Sequence, residues 1–364
     1  MRNALIAGLI LATVALSALA IMPAHAQTSI SVSDPEGDDR GPGTYGYPTN
    51  EVFQPGVFDL LGFTVTDTGN ALEFRVKLKN LGDNPWGGPN GFCLQYVQIY
   101  VHTTASGPAR VDTFGLNFLL RPDYAWNFAI LLAPGWEESP VPTGQRAAIY
   151  FANGTVVVQD GAFNVSVDET NNEIVATVAK SVLPDADNFV NWKYVVAVAS
   201  YDGYGPMRVR AAGVTGGEWA INATEYATSQ DQVTKLAQAI AKGMEPRALD
   251  LLVYSNEYNG ITADQQYEWL WNFDPETGAL PIVPGIERVT ETVTETETVT
   301  TTATATATVY QTTTATTTVT TTSTSVSVST ATTTVPQTDW TMTGVVGIVL
   351  LLIGLGIGYA VFKK

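Results

Sequence analysis

Between Ala71 and Leu78 the chain alternates without a break: Leu72, Phe74, Val76 and Leu78 fall on one face of an extended segment, Glu73, Arg75 and Lys77 on the other. Successive side chains of a strand point to opposite faces, so this period of two predicts a half-buried β-strand. It returns at 95–101, where Gln95, Val97, Ile99 and Val101 alternate with Tyr96, Gln98 and Tyr100, and in runs at 147–151, 155–158, 163–167, 173–178 and 193–200. Turn-forming residues separate the runs, with Asp-Thr-Gly-Asn at 67–70, Asn-Gly at 153–154, Asp-Gly at 160–161 and Asn-Asn at 171–172. Many short strands with frequent turns predict an all-β ectodomain built as an antiparallel β-sandwich. Two short helices are expected within it. One covers 231–242, with Val233, Leu236, Ala237 and Ile240 at helical spacing, Ser229 as cap and Gly243 as stop; the other covers 263–271.

Both ends are apolar. Met1–Ala26 opens with Arg2, runs through an apolar stretch at 4–22 and closes on Ala24-His25-Ala26, so it reads as a signal peptide cut before Gln27; an uncleaved N-terminal anchor is the alternative. Thr343–Phe362 has no charged residue and is followed by Lys363 and Lys364. About twenty residues at about 1.5 Å each match a bilayer core of about 30 Å. The lysines fit the cytoplasmic side, whereas a glycosylphosphatidylinositol signal, the alternative, normally lacks a basic stop. The expectation is a single-pass protein of the cell membrane, with an extracellular N-terminal domain and a cytoplasmic tail at 363–364. Gly354 and Gly358 have the GxxxG spacing of packed helix pairs, or are simply part of a glycine-rich span.

Residues 287–338 are expected to be a stalk. From Val289 to Val335 threonine dominates, and the large apolar residues that would repay the ordering of a core are missing. Dense threonine suits O-glycosylation, which stiffens a chain; fully extended, the segment would reach about 150 Å at about 3.1 Å per residue. Either as a stiff glycosylated rod or as a bare linker, it holds the domain at 27–286 away from the membrane.

Composition narrows the chemistry. A formal net charge of −17 argues against nucleic acid and anionic lipid surfaces, and suits cation binding or solubility. Cys93 is the single cysteine, so an intramolecular disulfide or a cysteine-based zinc site is excluded. Of the two histidines, His25 leaves with the signal peptide.

The densest polar motif is DPEGDDRGPGTYGYPTN at 34–50. Asp34, Glu36, Asp38 and Asp39 place four carboxylates within six residues, among Pro and Gly that preclude regular structure. Calcium takes six to eight oxygens, which such a loop supplies; an acidic solvated turn, or carboxylates capping backbone amides, is the alternative. Aromatic residues recur in loop-like surroundings: Tyr45 and Tyr47 after the acidic run, Trp86 in NPWGGPNGF, Trp126 in YAWNF, Trp136 in PGWEE, Tyr201 and Tyr204 in YDGYG. Exposed rings beside Asn and Asp grip sugar faces; buried ones are core. Trp86 and Trp136, then Tyr45 and Tyr204, are the carbohydrate-binding candidates. Asn153, Asn164 and Asn222 begin Asn-X-Ser/Thr sequons and are candidate glycosylation sites.

The motifs DPEGDDRGPGTYGYPT, FQPGVFDLLGF (53–63), NPWGGPNGFCLQ (84–95), YDGYG (201–205), ALDLLV (248–253) and ADQQYEWL (263–270) together resemble the C-terminal binding module of glucodextranase, similar to S-layer-homology domains. The tail of archaeal amylopullulanases is similar too, with a Thr-rich stalk and membrane anchor. The resemblance implies a cation-bound β-sandwich that attaches to polysaccharide or to the cell envelope. In those enzymes a catalytic domain comes first; here the module follows the signal peptide directly, so only the binding role carries over. The expectation is a non-catalytic surface protein whose partner is a polysaccharide or envelope glycan, possible associates being surface-layer protein or sugar-processing enzymes. The alternatives are a structural surface-layer component and a glycoside hydrolase, which would need two facing carboxylates in a cleft.

Overall fold

The computed structural model of the chain describes residues 28–285. The signal peptide, stalk and membrane span expected at 1–26, 287–338 and 343–362 lie outside them. Among the described residues no helix is long and apolar enough to cross a membrane.

Two antiparallel sheets face each other. The first runs in the order β1 (Ser29–Ser33), β2 (Leu60–Asp67), β3 (Ala71–Leu78), β10 (Glu173–Ala179), β9 (Phe163–Asp168). The second runs β14 (Asp250–Tyr254), β11 (Lys193–Ser200), β4 (Gln95–His102), β6 (Phe128–Leu132), β7 (Ala148–Phe151), β8 (Val156–Val158). Four two-residue strands pair outside these sheets, β5 (Leu119–Leu120) with β15 (Ile282–Val283) and β12 (Ala212–Gly213) with β13 (Ile221–Asn222), both parallel. Phe63, Phe74 and Val76 of the first sheet share one core with Val97, Ile99 and Phe128 of the second. The alternation of β3 works as its sequence implies: Leu72, Phe74, Val76 and Leu78 are buried, and Arg75 outside bonds Glu73 and Glu173, each at 2.6 Å.

β4 is different. It is buried on both faces, because Tyr96 and Tyr100 point into a second core with Phe114, Trp126 and Trp269. The alternation at 95–101 therefore separates two cores, where in β3 it separates core from water. On that face Gln98 Nε2 donates to Phe114 O at 2.9 Å, and the Tyr100 hydroxyl donates to Gln98.

Helix α1 (Gln230–Ala241) is capped by Ser229, whose hydroxyl accepts the Gln232 amide, and Gly243 beyond it has φ +64°. Helix α2 (Ala263–Trp271) opens on a capping box between Thr262 and Gln265, satisfying amides that no turn of helix reaches. Its buried Trp269 and Leu270 help to close the second core. The described residues fall in one compact unit, and both cores close between Ile30 and Val283.

Register decides where the loops gather. Gln95 at the start of β4 pairs with Ser200 at the end of β11, and Val97 pairs with Leu132 at the end of β6. Asp250 at the start of β14 pairs with Val198, near the same end of β11. The segments before β4, after β6 and after β11 therefore emerge together, with the first residue of β14 beside them.

Candidate functional site

Two polar features occupy this end of the molecule. The first is a carboxylate cluster. Asp34, just after β1, Asp38 and Asp250 bring oxygens within 4.8 Å of one another. Asp38 is 2 % exposed and Asp250 fully buried. Neither oxygen of Asp34 or Asp38 has a hydrogen-bond partner. Asp250 accepts the Leu60 amide at 2.7 Å and the Leu251 amide at 2.8 Å, which ties the first residue of β2 to the second sheet. Burial pushes all three carboxyls above their ordinary range; the Asp38 charge adds to this at Asp34, the Asp59 charge at Asp38, and the Asp34 and Asp38 charges at Asp250.

The loop is shaped by its neighbours. Asp59 accepts the Gly37 amide at 3.0 and 3.1 Å, and Gln266 on α2 donates to Asp38 O at 2.7 Å. Gly41 sits at φ +57°, where a Cβ would come within 2.7 Å of the Tyr45 ring, so no larger residue fits that turn.

Of the four carboxylates expected to hold a cation, two lie in the cluster and two do not. Glu36 turns outward to Lys79 at 2.8 Å, and Asp39 accepts the Tyr47 hydroxyl. The third member, Asp250, comes from more than 200 residues away along the sequence. Of the set Asp34, Glu36, Asp38, Asp39, the structure thus brings Asp34 and Asp38 together and adds Asp250 to them. A charged residue inside the apolar strand ALDLLVY was the available signal, since a buried carboxylate needs a partner.

The second feature is a cleft of about 710 Å³ lined by Trp86, Trp136, Tyr201, Tyr204 and Trp219, with Gln145, Asp202 and Arg210 among them. The rings are unusually open for their size: Trp86 is 46 %, Trp136 37 %, Trp219 45 % and Tyr204 100 % exposed. Trp86 and Trp219 lie 6.0 Å apart between centroids, as do Trp136 and Tyr201. Arg210 braces the wall by donating to Ser200, Tyr201 O and Trp219 O. Met207 and Arg208 hold φ of +56° and +62°, strained for residues with a Cβ. The Arg208 guanidinium offsets this by donating to Thr143, Gly144 and Gly203 carbonyls, which joins the loop after β6 to the loop after β11.

The cleft therefore gathers Trp86, Trp136 and Tyr204 and adds Trp219, which the sequence reading passed over although GGEW has the same glycine-flanked form. Tyr45 does not belong to it. Its ring is 1 % exposed, and its hydroxyl donates to Pro246 O at 2.8 Å, so it is a core residue beneath the acidic loop and no sugar can stack on it.

The C-terminal, SLH-like binding module of glucodextranase matches residues 30–285. The chain belongs to that family. The matched part is a binding module and not a catalytic domain, and it spans both the cleft and the carboxylate cluster. No curated protein matches the chain.

The remaining candidates on this family scaffold divide by geometry. Asn153 is exposed in the β7–β8 turn and Asn164 is exposed on the edge strand β9. Asn222 is half-buried, and its Nδ2 donates to Glu225 at 2.6 Å. Cys93 is buried beside the cleft, with its thiol pushed up to about 11 by burial, which makes it a packing residue with little thiolate.

Proposed function

We propose that this chain is an exported, non-catalytic glycan-binding protein, which carries its module on a threonine-rich stalk above a single C-terminal membrane helix. One observation carries the reading: three exposed tryptophans and Tyr204 converge on one cleft in a module of a binding family. Scattered exposed rings are ordinary; rings gathered in a concave site call for a ligand with apolar faces. A sugar ring offers such a face for stacking while its hydroxyls reach polar groups, here Gln145 and Asp202. The net charge of −17 favours a neutral polymer over an acidic one.

Hydrolysis is the weaker reading. A glycosidase uses two carboxyls about 5–10 Å apart flanking the scissile bond. Among the described residues that line the cleft, Asp202 is the one carboxylate. Affinity per module is expected to be modest, and many copies on one membrane compensate by multivalency.

The test is sedimentation of the 27–287 unit with insoluble starch, insoluble dextran and purified cell envelope, with reducing sugar assayed in parallel. Retention on starch or dextran supports a polysaccharide partner. Retention on envelope alone supports the surface-layer reading that the SLH-like character of the family favours. Binding to none of the three sinks the proposal, and release of reducing sugar replaces it with an enzyme.

A further inference from the structure

The carboxylate cluster and the cleft are joined by a continuous hydrogen-bonded path. The acidic loop leads directly into residues 44–53, which pair with 217–226. Tyr226 donates its amide to Thr44 O at 3.0 Å, Gly46 exchanges two bonds with Asn222 at 2.8 and 3.0 Å, Thr49 donates to Gly217 O at 3.0 Å and Asn50 to Glu218 O at 3.2 Å. The Asn50 side chain adds a bond to Glu218 at 2.9 Å. The next residue is Trp219, packed edge-on against Phe53 at 5.9 Å and facing Trp86 across the cleft. The position of one cleft wall thus depends on the segment that the acidic loop anchors.

That anchor is incomplete by protein groups alone. Asp38 is almost wholly buried with both oxygens unpartnered, and its neighbours supply no compensating charge. Lys79 is bonded to Glu36 and stands 3.7 Å from Asp59, Arg40 lies over the Tyr226 ring, and Asp39 and Asp59 are themselves acidic. Among the described residues no Lys, Arg or His pairs with Asp34, Asp38 or Asp250. Buried carboxylates left unpaired are costly. An all-oxygen donor set fits a hard divalent cation of the calcium type and offers nothing to a thiophilic metal.

We propose that a calcium-like divalent cation held by Asp34, Asp38 and Asp250 anchors the 34–53 segment, and that through its pairing with 217–226 this cation sets Trp219 and controls the affinity of the cleft. The final step rests on the glycan-binding reading; the first two do not. Coupling of this kind is reciprocal, so glycan also tightens the cation.

The decisive experiment titrates calcium chloride into the metal-stripped 27–287 unit, and follows amide hydrogen exchange with and without calcium. One site per chain is expected, with exchange slowed at 44–53 and 217–222. Asp38→Asn, whose oxygens hold no protein hydrogen bond, should weaken calcium at least about 10-fold and abolish the protection at 217–222. Asp250→Asn should do the same; if it fails to fold, the Asp38→Asn result decides. No calcium binding, or magnesium binding equally well, overturns the site. Calcium binding without protection at 217–222 overturns the coupling. Chelation should weaken the glycan retained in the sedimentation assay about 10-fold, and an unchanged affinity overturns control of the cleft. If no glycan binds even with calcium, the functional reading fails while the titration and exchange results still decide the cation and its coupling.

Discussion

The carboxylate cluster and the aromatic cleft stand at one end of the same sandwich and break opposite rules. The cluster hides polar atoms that ought to meet water; the cleft shows water rings that ought to be hidden. Each exception is costly without a ligand, but they tolerate substitution differently. The cluster is tied into both sheets through the Leu60 amide on Asp250, so changing it disturbs stability. The cleft is a set of side chains on loops, so changing it should disturb binding and little else. Tyr45 and Trp86 make the contrast concrete, since both were sugar-stacking candidates by sequence and they fall on opposite sides of it.

The largest effect is therefore expected where no ligand is involved. Tyr45→Ala removes a fully buried ring and the bond to Pro246 O, and large-to-small aromatic substitutions in cores cost about 3–5 kcal/mol. Chemical denaturation should register that loss. A loss under about 1 kcal/mol would mean that Tyr45 is not a core residue, and would return it to the binding candidates.

Next comes the pH dependence of the cluster. Asp34, Asp38 and Asp250 have folded pKa values above 3.8, the value of an unperturbed Asp. Below about pH 4 both states are protonated and nothing is lost. As pH rises toward 7 the unfolded chain releases protons that the metal-free native state keeps, so stability falls by up to about 1.4 kcal/mol per pH unit per carboxyl. Paired carboxylates whose pKa is lowered, such as Asp123 at about 2, contribute stability already saturated above about pH 5 and do not mask this slope. Calcium at about 100 times its dissociation constant adds about 2.7 kcal/mol, roughly 5–10 °C in melting temperature for a unit of this size. The gap between calcium-loaded and metal-stripped melting curves should widen from pH 5 to pH 7; a gap independent of pH would disconnect these three carboxyls from the cation.

The same contrast explains what the sequence could disclose. Period-two runs located β3, β9, β10 and β11, because alternation is local and survives in the linear chain. It could not disclose that β4 faces two cores, since the covering residues at 114–126 and 263–271 are brought in by tertiary packing. The acidic loop was legible as a cation candidate from its density, but adjacency in sequence selected Glu36 and Asp39, which the turn at Gly37 directs to Lys79 and Tyr47. Asp250 stood out only as a charge inside an apolar strand; that it meets the loop is the work of strand pairing, not of proximity along the chain. Gly and Pro neighbours correctly singled out Trp86 and Trp136 as exposed, and the same cue misjudged Tyr45, because Gly41 makes room for its ring.

In the cleft, Trp86→Ala and Trp219→Ala should each weaken glycan retention about 10-fold or more while moving stability by less than about 1 kcal/mol. The two rings face each other at 6.0 Å, so the double variant should lose less than the sum of the single losses if one sugar contacts both. Strict additivity would place the rings in separate subsites.

The smallest effect is expected at Tyr204. Its ring is fully exposed and packs on nothing, and its amide alone is fixed, by Asp202 Oδ1 at 3.0 Å. An unsupported ring must be ordered when it meets a ligand, and that entropy of about 0.5–1.5 kcal/mol offsets much of the stacking gained. Tyr204→Ala should therefore reduce affinity only about 2–5-fold and leave the melting temperature unchanged. The outcome is informative in both directions. No change in affinity would remove Tyr204 from the site and leave the three tryptophans to carry it. A loss as large as that of Trp86→Ala would mean that the 201–205 loop closes over bound glycan, turning a side chain that stands free into one wall of the occupied cleft.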